Sequence, residues 1–540
     1  MMRRIPQTLT VLLTATMLSA CGQASDPIDR YDIIISGGRV LDGSGTPAYE
    51  GDVAIDDGKI VKIGNLAGAK ADHTVNATGR LIAPGFIDLH SHADRQILDQ
   101  NQVINNLHQG ITTVLAGNCG GSPLDVGDFA TALDARKTTI NIGLLIGHNT
   151  VRKAVMARDN RAPSAEEQAQ MQQLVADAMA EGAFGMSTGL KYIPGAFAET
   201  AEVVELAKVA GSMGGIYASH MRDEGLGLLA SVEETIHIGA AAGLPVHISH
   251  HKVVGAPMWG ASVQSLAMVD EARANGIRVT LDQYPYSASN TGLSILIPAW
   301  ALAGTLDDFK ARLQDPETRK RIKDGIIDNI VRDRGGNDPR RVYVSTFAAQ
   351  PEIAGKNLAE ISILRGRTDS IADAAETLME LHVEGEDRGR GVFHAMDEDD
   401  VRRIMQYPYV SIATDGNATT FGAAVPHPRN YGTFPRVLGH YSRDERVLDM
   451  AEAVRKMTSL PAMIMGLDDR GLIAEGYVAD IVLIDPDSVI DKATFEDPHQ
   501  YAEGIPTVIV RGQIVLENGA RTDAYPGGLL YGPAYTGQTN

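Results

Sequence analysis

The run Leu81-Ile-Ala-Pro-Gly-Phe-Ile-Asp-Leu-His-Ser-His92 constrains this chain more than any other segment. It reads as an apolar strand that ends in His-x-His. On a strand, residues i and i+2 point to one face, so His90 and His92 are aimed alike and can grip one metal ion. A fold that places a metal there must bring further ligands to the same strand end, and the remaining signals are weighed by whether they supply them.

The chain alternates apolar strands with helical stretches. Candidate strands lie around 82–90, 111–119, 140–147, 182–188, 214–220, 244–250, 277–284 and 409–415. Helical patterns fill most of the gaps, among them Ser164 to Glu181, which opens on a Ser164/Glu167 capping box, and Ser262 to Asn275. Repeated βα units imply a parallel sheet. Eight of them predict an α/β fold, a closed (β/α)8 barrel of the TIM type with its active site at the C-terminal strand ends. An open doubly wound sheet is the alternative, but no G-x-G-x-x-G or Walker loop follows an early strand. A length of 540 residues is also long for one core, so more than one domain is expected.

Five of the candidate strands end in metal-binding side chains. The first ends in His90 and His92. The second, Ile111 to Gly121, ends at Cys119, and the fifth, Gly215 to His220, at His220. The sixth runs Pro245-Val-His-Ile-Ser-His-His-Lys252; alternation puts His250 and Lys252 on one face and His247 and His251 on the other. The eighth, Tyr409 to Asp415, ends in Asp415. A lone strand-end His is usually structural, but five such ends on one barrel form a constellation.

The N-terminus reads as a processing signal. Arg3 and Arg4 precede the apolar stretch Thr8 to Leu18, which closes on Leu18-Ser-Ala-Cys21. This resembles a bacterial lipoprotein signal. The expectation is that residues 1–20 are removed and Cys21 carries lipid. The product would be an exported, membrane-anchored, periplasmic protein, with that lipid as its only membrane attachment. Only two cysteines exist, so Cys119 would have no disulfide partner, and a metal would hold it as thiolate. The formal charge of −20 excludes nucleic acid as the expected partner, while a local Arg or Lys can still receive a small anion.

The phrases GFIDLHSH (85–92), GNCGGS (117–122), STGLKYIPG (187–195), ASHMRDEG (218–225), SHHK (249–252), DQYPYSASNT (282–291), TDG (414–416) and HPRNYGTFPRVLG (427–439) resemble the N-acyl-D-amino-acid deacylase (D-aminoacylase) family of the amidohydrolase superfamily. The resemblance runs from about Tyr31 to about Pro526. It implies a small β-sandwich built from both chain ends (27–80 and 466–522) beside a barrel (81–290 and 345–465). It also implies a small helical domain inserted at 291–344 over the pocket, and leaves 523–540 as an extended tail.

The resemblance further implies zinc-dependent hydrolysis of N-acyl-D-amino acids, small-molecule substrates. Cys119, His220 and His250 would hold one tightly bound Zn2+. His90, His92 and Asp415, with Cys119 bridging, could hold a second, weaker one. Zinc activates water and polarises a carbonyl; Asp415 would be the general base that shuttles the proton to the leaving nitrogen. Arg429 matches the anchor for the amino-acid carboxylate, and Tyr284, Lys252 and Tyr192 match other substrate contacts. Strand four lacks the bridging lysine of many amidohydrolases, and Asn417 to Val425 departs from the family pattern. Three rival readings remain at this point: a cyclic-amide hydrolase of the hydantoinase kind, a serine hydrolase built on Gly185-Met-Ser-Thr-Gly189, and a non-catalytic binding lipoprotein.

Overall fold

The computed structural model describes residues 30–537; the signal segment and Cys21 lie outside them. The barrel strands are Phe86–Asp88, Ile111–Ala116, Asn141–Leu144 continued by Ile146–Gly147, Gly185–Gly189, Ile216–His220, Val246–Ile248, Val279–Gln283 and Val410–Ile412. All neighbouring pairs are parallel. The ring closes where strand eight returns to strand one: Ser91 bridges Gly416, the His92 amide donates to the Gly416 carbonyl (2.7 Å), and the Asp415 amide donates to the His90 carbonyl (2.8 Å). Strand two, Ile-Thr-Thr-Val-Leu-Ala, is buried at every position, as a parallel strand covered on both faces must be.

The ends of the chain meet in a β-sandwich. One sheet holds Tyr31–Ser36, Asp52–Asp56, Lys59–Gly64 and Ala71–Asn76. The other pairs N-terminal Leu81–Pro84 antiparallel with C-terminal Ile481–Ile484, which continues into Thr507–Val510 and Gln513–Glu517. Ile33, Ile35, Val53 and Ile55 of the first sheet pack on Ile82, Ile481, Leu483 and Ile509 of the second. Residues 81–84 thus belong to the sandwich, and the barrel begins at Phe86 rather than at 81. Gly85 makes the passage: a Cβ there would stand 2.2 Å from Thr112 Oγ1.

The insertion after strand seven is larger than expected and is not purely helical. Ser289–Gly292, Arg390–Phe393 and Val342–Thr346 form an antiparallel sheet in that order. The helices Leu306–Gln314, Pro316–Arg332, Leu358–Leu364 and Ile371–Glu384 pack on it. Phe309, Ile322, Ile326, Ile330, Val342, Val344, Leu378 and Phe393 make a core of their own. The unit therefore reaches residue 393, not 344. Its closing strand, Arg-Gly-Val-Phe, is too short to alternate, so only its long-range pairing reveals it.

Candidate metal centre

All the strand ends singled out in the sequence open into one cavity of about 180 Å³. It is lined by His92, Cys119, Tyr192, His220, His250, Lys252, Tyr284 and Asp415, and also by Glu224, Asn290, Arg334, Arg390 and Arg95. Cys119 Sγ lies 3.3 Å from His90 Nε2, 3.4 Å from His250 Nε2 and 3.7 Å from His220 Nδ1. His92 Nε2 is 3.1 Å and His90 Nε2 3.7 Å from Asp415 Oδ1.

Three of these side chains sit on left-handed backbone: Cys119 (φ 54°), His250 (φ 36°) and Asp415 (φ 48°). Such conformations are costly for residues with a Cβ and gather at functional sites. Alternation grouped His250 with Lys252, and both line the cavity, although a left-handed turn carries them there. Strand six stops at Ile248. His247 reaches Thr280 and Asp282 on strand seven, His250 enters the cavity, and His251 bonds Ser265 on the following helix.

The donor chemistry fits zinc. Bond lengths of about 2.3 Å to sulfur and 2.0–2.1 Å to nitrogen give S···N edges near 3.5 Å in a tetrahedron, matching Cys119 against His220 and His250. The His220 and His250 nitrogens, at 2.6 Å, stand closer than two zinc ligands do and would part by a fraction of an ångström. Burial opposes ionisation of the Cys119 thiol, but the His90 and His250 charges outweigh it and hold its pKa well below the usual thiol value, which is the thiolate a metal needs. Burial likewise disfavours a charged His90, yet Asp282 and the Cys119 sulfur hold its pKa well above the ordinary value. The ring nitrogens His92 Nδ1 and His220 Nε2 are buried without hydrogen-bond partners among the described residues. His90, His92 and Asp415 form a second group of donors around one point.

Asp415 is paired with Arg429 (Oδ2 to Nη1, 2.8 Å). Burial resists its charge, but Arg429 and His92 prevail and keep its pKa well below the carboxylate range. Arg429 also donates to the Asn290 carbonyl (3.2 Å) and lies 4.8 Å over the Tyr284 ring. It stands behind Asp415 rather than in the cavity wall. Lys252 Nζ sits 2.6 Å from Glu224 and 2.7 Å from His250 Nδ1. The Tyr192 ring lies tilted with its centroid 4.5 Å from that of His220, and its hydroxyl accepts from Thr291 (2.9 Å).

Several residues of the site escaped the sequence reading. Glu224 faces His250 Nδ1 (3.1 Å), Lys252 and Arg334; its neighbour in sequence, the strand-five His220, was the available signal. Asp282 accepts the His250 amide (2.8 Å) and faces His90 Nδ1 (3.2 Å); it falls on the same strand face as Tyr284 and was legible by alternation. Arg334 and Arg390 come from the insertion and carried no local signal. Ser187, the serine of the G-x-S-x-G run, spends its hydroxyl on the Cys119 loop: it donates to the Gly117 carbonyl (2.5 Å) and accepts from the Gly120 amide (3.0 Å). That arrangement removes the serine-hydrolase reading.

Comparison with known proteins agrees with this geometry. Residues 73–516 match the model of the amidohydrolase family. The chain is 37% identical to a D-aminoacylase of Alcaligenes xylosoxydans xylosoxydans over 523 residues, 93% of this chain and 97% of that protein. It is also 37% identical to an N-acyl-D-glutamate deacylase of the same organism over 524 residues, with the same coverage of both chains. The crystal structure of N-acyl-D-glutamate deacylase from Bordetella bronchiseptica, complexed with zinc and a phosphonate inhibitor that mimics the tetrahedral intermediate, superposes with a TM-score of 0.79. The two are 35% identical, and the match covers 93% of this chain and 100% of that one. The chain belongs to the amidohydrolase family, in its D-aminoacylase branch.

Proposed function

We propose that this protein is a zinc-dependent N-acyl-D-amino-acid deacylase, which hydrolyses the amide to a carboxylate and a free D-amino acid. One observation carries the reading: Cys119, His220 and His250 stand within 3.7 Å of one another in the cavity that also holds Asp415. Zinc held by these three residues would activate water and polarise the amide carbonyl. His90, His92 and Asp415, sharing Cys119, would hold a second, weaker ion.

The rest is work for the chain's own groups. Asp415 takes the proton of the attacking water and passes it to the leaving nitrogen, which departs as an amine. Its pairing with Arg429 and His92 keeps it ionised and oriented for the first transfer. The family match supports Arg429 as the anchor of the substrate α-carboxylate, which must displace part of its pairing with Asp415 because the guanidinium lies outside the cavity wall. Tyr284 can donate to the same carboxylate, since among the described residues its hydroxyl has no nearer partner than Met396 Sδ at 4.0 Å. Lys252 holds Glu224 against His250, and Tyr192 walls the cavity beside His220.

The test is an assay of zinc-loaded protein on N-acetyl-D-amino acids, their L counterparts and hydantoins. Turnover confined to D-amides that is lost on chelation is expected; turnover of hydantoins alone would overturn the reading. We also propose that the protein is exported and anchored by lipid on Cys21. Incorporation of labelled palmitate that disappears in Cys21→Ser is expected, and an unlabelled wild-type protein would refute the anchor.

A further inference from the structure

Asp88 stands on barrel strand one, two residues before His90, and is fully buried. It lines no wall of the catalytic cavity, and among the described residues no Lys or Arg pairs with it. Three donors hold it instead. Oδ1 accepts from the His90 amide (3.2 Å) and the Thr414 amide (3.0 Å), and Oδ2 accepts from the Thr414 hydroxyl (2.5 Å). That hydroxyl accepts in turn from the Gly416 amide (2.9 Å). Burial pushes the Asp88 pKa upward, and a buried carboxylate is costly unless hydrogen bonds offset the loss of water. Proton transfer by Asp415 does not involve this group directly, yet its bonds end on the backbone on both sides of that base.

These bonds lie at the seam of the barrel. Strand eight runs along strand seven as a ladder, Val410 to Ile412 against Leu281 to Gln283. Among the described residues it meets strand one only at the bridge of Ser91 with Gly416. Three consecutive amides brace that seam: Thr414 to Asp88, Asp415 to the His90 carbonyl (2.8 Å), and Gly416 to the hydroxyl that Asp88 holds. Asp415, between the other two, is left-handed with φ 48°, a conformation that persists only where the surroundings over-determine it. From that backbone its side chain has to meet His92 at 3.1 Å and Arg429 at 2.8 Å. Without Asp88 the turn would hang on two backbone bonds, Asp415 to His90 and His92 to Gly416.

We propose that Asp88 is a positioning residue for the general base: through the Thr414 amide and hydroxyl it holds the 414–416 turn, and so sets where the Asp415 carboxylate stands relative to His90 and His92. The inference rests on the deacylase reading and adds a residue to its machinery. The same carboxylate holds the His90 amide, so one side chain fixes both ends of that distance. Thr414 is the link because a hydroxyl both donates and accepts; a valine of the same shape does neither.

Thr414→Val therefore cuts the link and keeps the shape. On an N-acetyl-D-amino acid, the zinc-loaded variant should lose about 10- to 100-fold in kcat, the range for groups that orient a metal centre from behind, with KM within about threefold. Thr414→Ser restores the hydroxyl and should return kcat to within about threefold of wild type. Asp88→Asn should slow the enzyme as Thr414→Val does, and the double variant should lose little more than either alone, since both cut one link. If Asp88→Asn does not fold, the Thr414 pair decides alone. Zinc titration of the metal-depleted protein reads the same geometry without turnover. In Thr414→Val the first ion, on Cys119, His220 and His250, should bind as in wild type, and the weaker one, which uses Asp415, should loosen by about 10-fold.

Wild-type kcat in Thr414→Val overturns the assignment. So does a serine variant as slow as the valine, a double variant whose losses multiply, or equal loosening of both ions, each the mark of a plain packing role. A wild type that binds zinc and turns over no N-acyl-D-amino acid overturns the deacylase reading, and the positioning role with it.

Discussion

Asp282 is fully buried and accepts from the His247 ring (Nε2, 2.8 Å) and the His250 amide (2.8 Å) while facing His90 Nδ1 at 3.2 Å. It does not line the cavity, but it fixes which nitrogen of His90 the cavity receives: with Nδ1 held, Nε2 faces Cys119 and Asp415. Carboxylates placed in this way behind metal-binding histidines typically govern affinity by 10- to 100-fold. Asp282→Asn should therefore weaken zinc binding by about that factor in a chelator competition, with kcat at saturating zinc changed much less. Undiminished zinc affinity would refute the assignment. The substitution also has a pH signature. Burial resists the charge, but His90 and His247 hold the Asp282 pKa well below the carboxylate range. The folded state thus keeps this charge more readily than the unfolded chain. Its stabilising contribution is complete above the unfolded value near 3.9 and is lost as pH falls through the folded value. The stability gap between wild type and Asp282→Asn should be widest above pH 5 and close in strong acid, as read from urea unfolding across that range.

The loop after strand two shows how a short element sets up the centre. Gly117 has φ +77°, and a Cβ on it would meet the Leu145 carbonyl oxygen at 2.1 Å. Gly120 has φ +75°, and its Cβ would meet Asn149 Oδ1 at 2.2 Å. The two turns swing Cys119 into the cavity, and Ser187 and the Asn118 amide, which donates to the Leu89 and Leu115 carbonyls, tie the loop to strands one, two and four. Gly117→Ala should cost about 3 kcal/mol or more, from the strained φ and the clash together. Zinc content should fall along with the melting temperature. A protein that melts normally and binds a full complement of zinc would show that the loop tolerates the Cβ. Much of this was legible in the sequence, because Asn-Cys-Gly-Gly after a β-branched run marks a strand that ends in a tight turn with a soft ligand in it. The same pattern logic grouped His250 with Lys252, and both line the cavity, although a left-handed residue ends the strand there. It failed in the insertion. Arg390 and Asn290 lie 100 positions apart, and no local periodicity reports a pairing of that span.

At the scale of the molecule, the two ends of the barrel carry different duties. The strand ends that hold His90, Cys119, His220 and Asp415 form the site, while at the opposite end the last part of the chain pairs along the starts of strands three and four. The Gly527 amide donates to the Thr138 carbonyl (2.9 Å), Leu530 to Ile142 (2.7 Å) and Gly532 to Gly182 (2.8 Å). Leu529 bridges Ile142 in parallel, and Leu529 and Leu530 are buried against the barrel. A chain shortened after Ala524 would lose both leucines and expose the strand-three edge they cover. Burial of two leucine side chains is worth about 3–6 kcal/mol, so truncation should lower the melting temperature markedly. The metal ligands sit at the far end of strands whose pairing to their neighbours does not involve the tail, so zinc content and kcat/KM at 20 °C should stay within about twofold, in keeping with the separation of stability and chemistry between the two faces of such barrels. Calorimetry and kinetics on the same truncated sample decide it. Unchanged melting would mean the tail merely rests on the barrel, and a folded but inactive enzyme would mean that the floor and the mouth of the barrel are mechanically coupled.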